Sequence, residues 1–149
     1  MKLAEALQER ADLNRQIEQL RSRLSHNAIV QEGEAPAEDP GDLLAQLDRA
    51  TARLEELMAS INLANSRTVV NDKTLTQIIA RKDCLRLRLE AYRELAETAS
   101  QTARRATRSE IRILSTVDVK TIQAQLDTMA KELRLLDNEL QQTNWTTEL

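Results

Sequence analysis

Apolar residues recur along most of this chain at alternating steps of three and four, the spacing that lines one side of an α-helix. In the first segment Leu3, Ala6, Leu13, Ile17, Leu20 and Leu24 form such a stripe, with Arg10 at its one interrupted position. Steps of this kind describe a heptad seam, where a narrow side of one helix meets a narrow side of another. At Arg10 the aliphatic stem can lie along the seam while the guanidinium stays in water. A second stripe, Leu43, Leu47, Ala50, Leu54, Leu57, Ile61 and Ala64, continues without a miss. A third runs through Leu75, Ile78, Lys82, Leu85, Leu89, Tyr92, Ala96, Ala99 and Ala103, opened by Thr74 and Gln77 at capping-box spacing. The last holds Val119, Ile122, Leu126, Met129, Leu133, Leu136 and Leu140, with Asp118 or Thr116 placed to cap it. The pattern predicts helices near residues 2–25, 42–65, 74–106 and 118–141.

The breaks between stripes carry their own signals. Residues 27–41 bring Gly33, Pro36, Pro40 and Gly41 together with Glu32, Glu34, Glu38 and Asp39, and hold no basic residue. This reads as an exposed acidic loop ending where Asp39 or Pro40 starts the next helix. Thr68, Val69 and Val70 precede Asn71-Asp72, a short β-favouring run before a turn. A similar run at Ala28, Ile29 and Val30 predicts a small ribbon between residues 28–30 and 68–70. Between Arg104 and Asp118 the periodicity weakens. A helix that continues or restarts competes there with a strand, because Ile111-Arg112-Ile113 alternates.

Composition sharpens the fold class. There is no Phe, one Tyr (Tyr92), one Trp (Trp145), two Gly and two Pro, so the apolar content is aliphatic. Without aromatic bulk a thick central core is hard to fill, whereas aliphatic seams between helices need none. The expected architecture is all-α, a single domain folded as an antiparallel four-helix coiled-coil-like bundle. Thin seams of this kind invite association between copies, so a homo-oligomer is expected.

Most familiar chemistries find no residues to carry them. A phosphate-cradling loop needs clustered glycines, and the two here share one acidic loop. A di-iron site in a helical bundle needs a histidine three residues after each of two glutamates; the only histidine, His26, follows Arg23 at that spacing. His26 sits instead at the expected end of the first helix, where it suits the last free carbonyls and the helix dipole. Cys84 is the sole cysteine, so neither an intramolecular disulfide nor a thiolate zinc site can form. Beside Leu85 and far from His26 in sequence, it reads as a buried, inert thiol. No catalytic residue, metal ligand, cofactor or small-molecule substrate is expected, and the chain reads as not an enzyme.

One local charge feature stands out from a net charge of −3. Arg104, Arg105, Arg108 and Arg112 lie close together, and the 104, 108, 112 spacing would share a helical face. Such a stripe can pair with carboxylates of another copy, remain solvated, or grip nucleic acid or another anion. Interleaved aromatics that would stack on bases are missing, and acidic partners stand in the 32–42 loop. Neither a secretory leader nor an apolar run of membrane-spanning length is visible, so a cytoplasmic location is expected.

Four blocks, KLAEALQERADLNRQI, VQEGE, SQTARRATRSEIRILSTVDV and LDNELQQTNWTTEL, together give a chain that resembles a family of bacterial helical proteins described as septicolysin-like. The resemblance implies a helical, oligomeric protein without catalytic residues, and its name points to a membrane-active cytolysin. The residues favour a non-enzymatic, self-associating helical interaction protein. Anion binding at Arg104–Arg112 is the first alternative and a membrane-active oligomer the second.

Overall fold

A computed structural model of the chain describes residues 1–101 and 111–149. It is all-α, with four helices in the expected order: α1 (Leu3–His26), α2 (Pro40–Arg67), α3 (Leu75–Ala99) and α4 (Val119–Thr146). Between α2 and α3 lies a two-stranded antiparallel ribbon, β1 (Val69–Val70) and β2 (Lys73–Thr74).

Local chemistry sets the helix ends. Asp39 caps α2, accepting from the Asp42 amide at 3.3 Å, and Pro40 supplies a first helical residue that has no amide to satisfy. Thr74 and Gln77 make the full capping box on α3: the Gln77 amide donates to Thr74 Oγ1 at 3.2 Å, and the Thr74 amide to Gln77 Oε1 at 2.9 Å. Before α4, Asp118 accepts from the Lys120 amide at 3.1 Å and from Thr121 Oγ1 at 2.7 Å.

Two boundaries depart from the pattern. α3 closes at Ala99 rather than near residue 106, and the Ser100 hydroxyl and amide turn back onto the Ala96 carbonyl at 2.6 and 3.1 Å, which satisfies that terminal acceptor. α4 continues to Thr146 rather than stopping near 141, since Thr143 occupies the next seam position and is buried. The ribbon's partner is also corrected: Val69–Val70 pairs with Lys73–Thr74 and not with residues 28–30, where no strand forms. Asn71 and Asp72 both take positive φ, 50° and 63°, the turn that joins two strands through two residues. Replacing Asp72 by Gly removes the cost of that backbone conformation. Asp72→Gly is expected to raise stability by about 0.5–1 kcal/mol in urea unfolding, whereas Asp72→Val should lower it.

The chain divides into two compact units, Met1–Val69 with Thr143–Leu149, and Val70–Gln142. In the first, α1 and α2 run antiparallel. Leu3, Ala6 and Leu20 are buried from one helix and Leu43, Ala50, Leu57 and Ile61 from the other. The tail joins this unit beside the start of α1. The Leu3 amide donates to the Thr147 carbonyl at 2.9 Å, the Leu149 amide to the Met1 carbonyl at 3.0 Å, and Lys2 bridges to Glu148. In the second unit, Leu85, Leu89 and Ala96 of α3 meet Leu126 and Met129 of α4, flanked by Tyr92, Ile122, Leu133 and Leu136. Among the described residues no helix is long and apolar enough to cross a membrane.

Candidate functional site

Of the four arginines singled out by sequence, Arg104, Arg105 and Arg108 lie outside the described residues. Arg112 is exposed, on a non-helical stretch with the exposed Ile111, Ile113 and Leu114. In the acidic loop, Glu38 is already engaged: Arg23 of α1 donates to it through both Nε, at 3.0 Å, and a terminal nitrogen. Asn27 closes α1 in the role expected of His26, because its side chain reaches both ways. Its Nδ2 donates to the Arg23 carbonyl and its Oδ1 accepts from the Glu38 amide, each at 2.9 Å. His26 itself is exposed.

Charged pairs stitch each helical pair along its flank. In the first unit Arg53 of α2 forks onto Glu9 of α1 at 2.7 and 3.0 Å and reaches Glu56 at 3.1 Å. In the second, Arg81 of α3 holds Glu132 of α4 at 2.6 Å, and Lys82 holds Asp137. These contacts set the proton affinities. Hydrogen bonds from Arg53 hold the Glu9 carboxyl below its ordinary 4.5, and those from Arg23 do the same to Glu38. Lys82 holds Asp137 below its ordinary 3.8.

Carboxyls lowered in this way bind protons more weakly folded than unfolded. Their stabilisation is complete above the unfolded values and is lost as pH falls through the folded ones. The urea midpoint should therefore be flat above about pH 5 and fall below it. Arg53→Met should make the acid fall shallower by releasing Glu9; an unchanged slope would show that Glu9 contributes nothing.

A concavity of about 400 Å³ lies between α3 and α4. Tyr92 and Met129 line it together with Ala124, Thr128 and Glu132, and Arg88 stands at its edge with its guanidinium carbon 5.8 Å from the Tyr92 ring centre. That stacking is a modest cation–π contact in a shallow, open groove. Among the described residues no group of His, Cys, Asp or Glu is placed to hold a metal ion.

Cys84 is exposed, contrary to the buried reading. The reason is a second apolar line on α3, which sequence reasoning missed. Ala80, Cys84, Leu87, Ala91 and Leu95 recur at steps of four, three, four and four, and all are exposed, Leu87 at 66% and Leu95 at 41%. At 100° per residue this line sits roughly 145° around the helix from Leu85, Leu89 and Ala96. The first stripe already satisfies the requirement for one buried side, so the spacing of the second carries no separate demand for burial.

These features define an all-helical protein made of antiparallel helix pairs with heptad-like seams. The chain belongs to a family of unknown function (DUF6847), whose model matches residues 10–149. It is similar to a functionally unknown conserved protein from Corynebacterium diphtheriae known from a crystal structure. The two share 38% identity with a TM-score of 0.94, over 100% of this chain and 98% of that one. No curated protein matches. The septicolysin-like resemblance is thereby corrected, since neither match carries such a link.

Proposed function

We propose that this is a non-enzymatic helical interaction protein of the cytoplasm that works by associating with copies of itself. The observation that carries this reading is that large apolar side chains remain exposed outside the seams of the helix pairs. A pair of helices buries one stripe per helix and leaves the remaining sides to water or to a partner. Leu44, Met58 and Leu63 on α2, Leu87 and Leu95 on α3, and Leu135 on α4 are all exposed by 41% or more. Apolar side chains gathered on such surfaces favour protein contact.

Light scattering over a wide concentration range tests this directly. The expected mass lies above the 16.9 kDa of one chain and rises with concentration. A constant 16.9 kDa would overturn self-association. Anion binding through Arg104, Arg105, Arg108 and Arg112 is the second reading, and the exposed Arg112 is open to it. It predicts instead a nucleic-acid affinity that falls steeply with salt.

A further inference from the structure

We infer that the outer face of α3 is the contact between copies, and that two α3 helices pair there side by side, parallel and in register. This rests on the self-association proposed above and specifies its surface. α3 carries two apolar lines: one is spent on α4, and the other, Ala80 to Leu95, faces outward.

The charges beside the outer line choose the occupant and its direction. Asp83 and Glu94 stand nearest the line on one flank, with Glu90 and Glu97 further round beside Arg86 and Arg93, while Arg88 stands on the other with Arg81, which also holds Glu132. In a parallel pair related by a two-fold axis, the left flank of one helix lies against the right flank of the other, so acid meets base. In an antiparallel pair each flank meets its own copy, and like charges oppose. A helix with one acidic and one basic flank is therefore complementary to itself only in the parallel arrangement. In that register Asp83 of one copy faces Arg88 of the other, and symmetry repeats the pair. Within the described residues neither Asp83 nor Glu90 has an ion-pair partner, so both are available.

The apolar line spans about 23 Å at 1.5 Å per residue, a short seam near the lower end of specific interfaces. The dimer is accordingly reversible and concentration-dependent. On the basic side the face runs past Arg88 into the groove with Tyr92 and Met129, which widens the area that a second copy can cover.

Parallel, in-register pairing puts Cys84 opposite its own copy, within the reach a disulfide requires. The chain has no other cysteine, so the thiol reports on this contact alone. The test is mild oxidation of the purified protein with copper–phenanthroline in air. The oxidant takes up the two electrons as two thiols lose their protons and join. Sedimentation of the unoxidised protein is measured in parallel, for the wild type and for Leu87→Glu combined with Leu95→Glu. Both leucines are exposed, so the variant should keep wild-type helicity by circular dichroism.

The expected result is a covalent wild-type dimer through Cys84 and a sedimenting species of twice 16.9 kDa, both lost in the double variant. An oligomer that ignores the double variant and does not cross-link would overturn the α3 contact while leaving self-association standing. A wild-type monomer at all concentrations would overturn both. An oligomer broken by the double variant without Cys84 cross-linking would refute the parallel register.

Discussion

Leu85→Ala is expected to destabilise the second unit by about 2–5 kcal/mol, the cost of removing a fully buried leucine and leaving a cavity. Leu85 is 1% exposed and sits in an apolar cluster that joins α3 to α4. Leu87→Ala makes the contrast, because the same chemical change two residues away falls on the exposed line. In dilute solution it should alter stability by no more than about 0.5 kcal/mol. Urea unfolding of the two variants decides the matter: equal losses would mean that Leu87 is buried as deeply as Leu85.

Removing Thr147, Glu148 and Leu149 is expected to cost about 2–3 kcal/mol and to loosen the first turn of α1. The truncation deletes two backbone hydrogen bonds between the chain ends, each contributing about 0.5–1.5 kcal/mol net. It also opens a path for water to Leu3, which is 0% exposed. The Glu148 carboxylate, held by Lys2 Nζ at 2.6 Å and by the terminal ammonium at 3.2 Å, is lost with it. Hydrogen exchange gives the sharpest readout. The Leu3 amide should lose most of its protection while amides near Ala50 and Leu57 keep theirs, and an unchanged Leu3 amide would show that the tail is dispensable.

Helix number, order and caps were legible because each depends on residues close in sequence. Asp39, Pro40, Thr74 and Gln77 announce helix starts through bonds that span three residues, and the stripes at Leu43–Ala64 and Val119–Leu140 announce buried sides. The ribbon was half legible: Val69 and Val70 looked like a strand, but their partner was sought 40 residues away rather than across Asn71-Asp72. The two-residue turn wins because closing it orders almost no intervening chain. Three features were not legible. The contact between the chain ends depends on backbone groups with no side-chain signature. The capping role fell to Asn27 because an amide can serve the helix end and the Glu38 amide at once, which the His26 ring does not do here. The second line on α3, and with it the exposure of Cys84, was hidden behind the first.

The contact between Met1–Leu3 and Thr147–Leu149 also bears on how the chain acquires its fold. The seam of the first unit joins α1 to α2, tens of residues apart. Contacts this local form quickly. The strand-like bridge instead joins residues far apart in sequence, Leu3 to Thr147 and Met1 to Leu149, so its closure orders much more chain and follows the seam. The start of α1 is therefore the part of this unit that gains its cover last, and Leu3 stays in water until Thr147 docks.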